Sequence, residues 1–308
     1  MPAGAPTLIL NVKGNSLDDG PGIRSVIFFK GCPLSCAWCH NPESQKREAE
    51  LSFDPKKCVG CDTCLPLCPR GALSRQNPGF VDRGKCDLCF LCARGCPSGA
   101  LEELGRERAL DEVLEALLKD KPFYDASGGG VTLSGGEPTL NAEFLSGLLP
   151  RLSEKGVPVL LETCGLYEPR RFEEEILPHL GAVYFDLKVM DEAAHRRFCG
   201  AGNRVILENF RRLAESRKNG RPELTPRMPL VPGITATPEN VAAAAAFVAQ
   251  CGLKHFKLLA YNPLWPEKME KIGRENPAAR DPALGRFMPA DEVAALKEIC
   301  RGFGLETP

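Results

Sequence analysis

The chain has 308 residues, and its 39 Lys and Arg nearly cancel 40 Asp and Glu, so it lacks the cationic footprint of a general nucleic-acid binder. Its longest apolar stretches, 7–12 and 241–249, fall well short of the roughly 20 residues that span a bilayer, and its amino terminus has no basic region leading into an apolar core and cleavage site. These features predict a cytoplasmic protein with neither nucleic acid nor membrane as a partner, long enough for one large domain and one small one.

The first strand signal, Arg24–Phe29, runs directly into Gly31-Cys32-Pro33-Leu34-Ser35-Cys36-Ala37-Trp38-Cys39-His40. Three thiolates at C-x3-C-x2-C spacing can hold a [4Fe-4S] cubane by three of its irons and leave the fourth open to a substrate. A structural zinc site is the alternative. Tetrahedral zinc takes four protein ligands, however, and His40 is the only nearby residue able to serve as the fourth.

Eight further cysteines follow in two ordered sets. Cys58, Cys61, Cys64 and Cys68-Pro69 repeat as Cys86, Cys89, Cys92 and Cys96-Pro97, each fitting the ferredoxin run C-x2-C-x2-C-x3-C-P. The flanks repeat as well, with Gly71-Ala72-Leu73 answered by Gly99-Ala100-Leu101, which predicts two related halves of one small unit. In such ferredoxins the fourth cysteine ligates the other cluster, so Cys58, Cys61, Cys64 and Cys96 are expected on one cluster and Cys86, Cys89, Cys92 and Cys68 on the other. With the first triplet this makes three [4Fe-4S] clusters. The ordered spacing and the absent secretory signal favour reduced thiolates over disulfides. Cys164, Cys199, Cys251 and Cys300 are scattered and read as small buried hydrophobes.

After the cysteine-rich segment, strand signals at 131–133, 157–162, 183–187, 227–231 and 255–260 alternate with helix signals. The helices are expected at 108–119, 141–156, 169–177, 191–198, 204–217, 237–252 and 290–301. Six strand–helix units predict a parallel sheet with helices outside it, two units short of a full eight-fold barrel. Periodicity alone does not separate a partly open barrel from a doubly wound sheet. Gly135-Gly136 sit at the carboxyl end of a strand, where residues without a Cβ expose backbone to a ligand or serve only a tight turn. Asp186 and Lys188 alternate along one strand and so face the same side. Buried charges are costly without partners, which points to ligand contact.

The cysteine triplet directly after an apolar strand resembles the signature of the radical S-adenosylmethionine enzymes. Asp19-Gly20-Pro21-Gly22-Ile23-Arg24, Lys30-Gly31-Cys32-Pro33-Leu34, Asn41-Pro42-Glu43-Ser44, Ser134-Gly135-Gly136-Glu137-Pro138 and Asp186-Leu187-Lys188 are more specific. Together they resemble the glycyl-radical-enzyme activating enzymes, in the subgroup with a two-cluster ferredoxin-like insert. The likeness runs from about Gly14 to Gly273, with Met190-Asp191, His195, Gly200, Asn203, Asn209, Arg227 and Pro229 in further agreement. It implies an α/β fold, a partial (β/α)6 barrel over 1–50 and 104–308, with a ferredoxin-like domain inserted at 51–103.

The resemblance also implies an activity. S-adenosylmethionine would chelate the open iron and be cleaved reductively to a 5′-deoxyadenosyl radical, which takes a hydrogen from a glycine of a partner glycyl radical enzyme. A low-potential donor, flavodoxin or ferredoxin, would supply the electron. Cys32, Cys36, Cys39 and Lys188 are the implied catalytic residues, and Trp38, Cys39, His40, Gly135, Gly136, Glu137, Asp186, Leu187, Lys188 and Asn262 the implied cofactor contacts. Two positions depart from the family pattern: Asn262 stands where many members have histidine, and Cys199 where threonine is usual. His195 is open between a helix contact and a place near the site. A radical S-adenosylmethionine enzyme acting on a small molecule is the alternative reading. A ferredoxin-type electron carrier would leave the first three cysteines unexplained.

Overall fold

The structure, a computed structural model, describes residues 7–217 and 221–308. An antiparallel hairpin opens it, β1 (Thr7–Ser16) against β2 (Arg24–Phe29). The cysteine-rich segment follows, enclosed by a ribbon of β3 (Glu50–Phe53) and β4 (Leu101–Leu104), with the short helices α1 (Cys64–Leu67) and α2 (Leu91–Arg94) between them. Next come β5 (Arg106–Arg108), α3 (Leu110–Leu118), α4 (Lys121–Ser127), β6 (Gly130–Gly135), α5 (Ala142–Glu154), β7 (Val159–Thr163), α6 (Pro169–Arg171) and β8 (Ala182–Asp186). The chain ends with α7 (Glu192–Cys199), α8 (Arg204–Ser216), β9 (Glu223–Leu230), α9 (Pro238–Gln250), β10 (Lys257–Ala260), α10 (Trp265–Lys271) and α11 (Ala290–Arg301).

The fold is α/β, with one eight-stranded, mostly parallel sheet in the order β10-β9-β8-β7-β6-β2-β1-β5. Strands β2 and β6 through β10 run parallel, and β1 runs against them, pairing antiparallel with both β2 and β5. All six predicted parallel strands are present, and β1 was not foreseen as a strand. Its apolar start, Leu8-Ile9-Leu10, gives way to Asn11 and Lys13-Gly14-Asn15, which blurs the alternation that would announce a strand.

Side-chain alternation gives the sheet two chemically different faces. Leu133, Leu161, Val183, Phe185 and Met228 are each 0% exposed and pack in the main core with the helices. Phe210 of α8 meets Phe185 edge-on at 5.0 Å and Phe247 of α9 at 5.3 Å, which seats α8 on β8 and α9 against α8. Ser134, Glu162, Asp186 and Arg227 occupy the alternate positions and line a cavity on the opposite face.

The Asp19–Arg24 motif forms the floor beneath that face. Arg24, buried at 2% exposure, donates to Thr132 Oγ1 at 2.6 Å and to the Val131 carbonyl at 2.7 Å, while Thr132 donates to the Asp19 carbonyl at 2.7 Å. Gly22 has φ of +71° and lies so close to the Gly129 backbone that a Cβ would collide with it.

Residues 51–103 carry a small hydrophobic core of their own, built on Leu51, Leu73, Phe80, Val81, Phe90, Cys92 and Leu101. Ion pairs tie this segment to the rest: Lys271 to Asp54 at 3.0 Å and Lys56 to Glu267 at 2.8 Å. At its root, Glu50 takes Lys30 at 2.9 Å and Arg274 at 2.6 Å. Among the described residues, no helix is long and apolar enough to cross a membrane.

Candidate active site

The parallel strands end on one edge of the sheet, where ligands gather in α/β folds. A cavity of about 300 Å³ opens there, and Cys32, Cys36 and Cys39 all line it, together with Trp38 and His40. Backbone hydrogen bonds fix the loop that carries them. Gly31 N donates to the Ser44 carbonyl at 2.7 Å, Cys32 N to Gln45 at 3.0 Å, and Ser35 N and Ala37 N to the Cys199 and Phe198 carbonyls at 2.9 Å each. Asn276 Nδ2 adds a bond to the Ala37 carbonyl at 2.7 Å. Burial pushes the Cys39 thiol up to about 11.

Gly135 and Gly136 line the same cavity, and each is also required by close packing. Gly135 has φ of +103°, and a Cβ on Gly136 would strike the Gly31 and Ser44 carbonyls. The turn therefore presses the β6 end against the cysteine loop, with Glu137 N donating to the Gly31 carbonyl at 2.7 Å.

The polar wall is a four-charge network. Arg227 donates from Nη1 to Glu162 Oε1 at 2.6 Å and from Nε to Asp186 Oδ1 at 2.9 Å; Lys188 Nζ stands 3.4 Å from Asp186 Oδ2, and Ser134 donates to Glu162 Oε2 at 2.6 Å. Burial works against the charged form of Asp186, but Arg227 and then Lys188 overcome it and hold the carboxyl below its usual range. Burial likewise opposes charge on Lys188, and Asp186 foremost raises its pKa above the ordinary lysine value. Two carboxylates and two cations facing one cavity suit a zwitterionic ligand. Glu162 and the pairing made by Arg227 were not foreseen from the sequence. The available signal was position, since each stands at the carboxyl half of a strand in the same alternation as Ser134 and Asp186.

Three expected contacts stand outside the cavity lining. Glu137 is 0% exposed, and its carboxylate accepts from Thr139 Oγ1 at 2.7 Å, Thr163 Oγ1 at 2.9 Å, Cys164 N at 2.7 Å and Thr139 N at 3.3 Å. It clamps the end of β6 to the end of β7. Leu187, 1% exposed, turns its side chain into the main core. Asn262 accepts from Leu264 N at 3.3 Å, and the neighbouring Tyr261 ring lies 6.1 Å from that of His40. His195, 1% exposed, uses Nδ1 to bond the Ala201 carbonyl at 2.6 Å just beyond α7.

In the cysteine-rich segment, Cys58, Cys61, Cys64 and Cys96 line one small cavity. Cys92 is surrounded by Cys86, Cys68 and Cys89, close enough to resist its ionisation, and burial pushes its thiol up to about 11. The fourth cysteine of each run thus lies with the first three of the other.

Residues 83–245 match the Radical SAM superfamily, residues 18–61 a 4Fe-4S single cluster domain and residues 51–74 a 4Fe-4S binding domain, which sets the class of the protein. The chain is 40% identical to the isethionate sulfite-lyase activating enzyme of Desulfovibrio desulfuricans, over 88% of each chain. It is 37% identical to the trans-4-hydroxy-L-proline dehydratase activating enzyme of Clostridioides difficile, over 86% of this chain and 87% of that one. The Streptococcus suis SuiB structure bound to precursor peptide SuiA, 13% identical with a TM-score of 0.50 over 81% of this chain and 41% of that one, agrees in fold alone. The protein belongs to the glycyl-radical-enzyme activating enzymes of the radical S-adenosylmethionine superfamily. It is an activase whose substrate is another enzyme.

Proposed function

We propose that the cavity holds S-adenosylmethionine beside a [4Fe-4S] cluster carried by Cys32, Cys36 and Cys39. The observation that supports this reading is that the three motif thiols and the charged network of Asp186, Lys188, Arg227 and Glu162 share one cavity. The donor set fits both groups: soft thiolates suit iron–sulfur ligation, and balanced charges suit a cofactor with an ammonium and a carboxylate. Held by these three cysteines, a cluster would supply the electron for reductive cleavage of the cofactor, and the bound pair would thereby provide the means of taking one Cα hydrogen from a glycine of the partner enzyme.

The chain's own residues bind, orient and exclude water. Lys188 and Arg227 attract the methionine carboxylate, and the backbone of Gly135 and Gly136 receives the ammonium. Trp38, His40 and the segment around Asn262 border the nucleoside. Glu137 and Leu187 act indirectly, as clamp and core anchor of the two strand ends that carry these contacts. The Arg24 floor keeps solvent out from below, which a reactive radical requires.

In the finer architecture, the parallel strands form a partial (β/α)6 barrel over 1–50 and 104–308, of which residues 1–6 and 218–220 lie outside the described residues. Residues 51–103 are a two-cluster ferredoxin-like insert, with Cys58, Cys61, Cys64 and Cys96 on one cluster and Cys86, Cys89, Cys92 and Cys68 on the other. The protein then carries three clusters, works in the cytoplasm and takes electrons from a flavodoxin or ferredoxin.

Replacing Lys188 or Asp186 with alanine is the direct test of the site. Each side chain faces a cavity open to water, so the fold should survive while reductive cleavage falls by about 10- to 100-fold, the worth of a lost hydrogen bond to a charged group. Cleavage assays paired with circular dichroism check this. Normal cleavage and normal partner activation in both variants would make the pair structural.

A further inference from the structure

The stretch from Trp265 to Asn276, α10 and the turn after it, is distant in sequence from the cysteine loop yet bonded to it on both sides of one tripeptide. Asn276 donates from Nδ2 to the Ala37 carbonyl at 2.7 Å, one residue before Trp38. Lys268 Nζ donates to the His40 carbonyl at 2.7 Å and to Asn41 Oδ1 at 3.0 Å, and it pairs with Glu43 Oε1 at 3.2 Å. Trp38, Cys39 and His40 therefore lie between two anchored carbonyls. All three line the cavity.

The gripping stretch is itself fixed. Trp265, 1% exposed, donates from Nε1 to the Tyr261 hydroxyl at 2.7 Å, and that hydroxyl donates to the Leu284 carbonyl at 2.9 Å, which roots the start of α10 in the main core. Arg274 secures the far end, donating to the Pro42 carbonyl at 3.1 Å and to Glu50 at 2.6 Å. Each donor suits its task. An ammonium has three N–H groups, and His40, Asn41 and Glu43 supply three acceptors. Asn276 Oδ1 accepts from Ala278 N at 3.0 Å and caps the following turn, so the side chain is held with its amide toward Ala37. Lys268 is 41% exposed, where an ion pair adds little to stability, and its worth lies in where it holds the loop.

We propose that Lys268 and Asn276 are positioning residues for S-adenosylmethionine, clamping Trp38, Cys39 and His40 in the conformation that receives the nucleoside. An irregular loop has several backbone arrangements, and selecting one of them weakens binding unless the protein has already made the selection. The clamp makes it in advance. The inference rests on the proposed place of the cofactor in this cavity. If the signal of the reduced wild-type enzyme does not respond to S-adenosylmethionine, that reading fails and takes the clamp with it.

The test is a titration of the reconstituted, reduced holoenzyme with S-adenosylmethionine, followed by electron paramagnetic resonance in the signal component that responds to the cofactor. Asn276→Ser keeps a side chain that caps the turn but cannot reach Ala37, and Lys268→Met keeps the apolar stem without a donor. Each should hold wild-type iron and bind S-adenosylmethionine about fivefold more weakly, the worth of one hydrogen bond. Lys268→Arg, which keeps a cation with N–H donors, should recover most of the affinity. Wild-type affinity in Asn276→Ser or Lys268→Met overturns the role of that residue, and an arginine variant as weak as the methionine one overturns that of Lys268. Should a variant lose its first cluster, hydrogen exchange in the wild-type holoenzyme decides. A cofactor that favours the clamped loop also favours the clamp, by reciprocity, so S-adenosylmethionine should slow exchange in 265–276 as well as in 37–43. Protection of the loop alone overturns the proposal.

Discussion

Replacing Cys36 with alanine is expected to abolish S-adenosylmethionine cleavage while leaving the rest of the metal content intact. The Cys36 side chain lines the cavity between Cys32 and Cys39, and the loop around it is held by backbone bonds that the substitution does not touch. The fold should therefore survive the loss of one sulfur. Two remaining thiolates cannot keep a cubane against solvent. Iron in the anaerobically reconstituted protein should fall from about twelve to about eight atoms per chain, one four-iron cluster out of three. Eight atoms in the wild type would remove one of the proposed clusters, and unchanged cleavage in the variant would remove the active-site assignment.

Deleting residues 51–103 is expected to spare the first cluster and impair partner activation by at least about tenfold, since either electron delivery or docking is lost. The structure makes this deletion practical. Glu50 and Leu104 are paired across the β3–β4 ribbon, so a short linker can close the gap. Glu50 itself stays, and with it the ion pairs to Lys30 and Arg274 that brace the cysteine loop. The ion pairs of Asp54 and Lys56 with the α10 residues Lys271 and Glu267 are lost, and none of the four residues of those pairs lines the cavity. A chemical one-electron reductant separates the two roles. It should rescue activation if the insert relays electrons and fail to rescue it if the insert docks the partner. Full activation by the deletion variant with its natural donor would leave the insert without either role.

What the sequence makes legible here is local chemistry. Ligand spacing along a few residues is written directly in the chain, so the triplet and both quartets can be read without a fold. The alternation of Asp186 and Lys188 on one strand is equally direct. Contacts between distant segments are harder to read. Glu137 stands in a motif beside the two glycines, yet its carboxylate turns to Thr163 and Cys164 on the next strand end, donors that no local pattern reveals. The expected helix at 169–177 breaks into α6, a π-turn at Phe172–Ile176 and a 3-10 turn at Leu177–His179, where Pro178 cannot donate a helical hydrogen bond. Helix α10 passed unread because Asn262-Pro263 and Pro266 mark its start as a turn. Cys164 and Cys199 read as small buried hydrophobes, and both are buried, at 7% and 0% exposure.

The central claim is that this protein makes a radical on a glycine of another protein. Anaerobic incubation of the reduced holoenzyme with S-adenosylmethionine and candidate glycyl radical enzymes, read by electron paramagnetic resonance and by quantifying 5′-deoxyadenosine, tests it most directly. Cleavage should be slow with the activase alone, because the cavity is closed to solvent only when a partner loop fills its mouth. The right partner should acquire a doublet radical signal, with one 5′-deoxyadenosine formed per radical. Stoichiometric 5′-deoxyadenosine produced with a small metabolite, and no radical on any protein, would contradict the account.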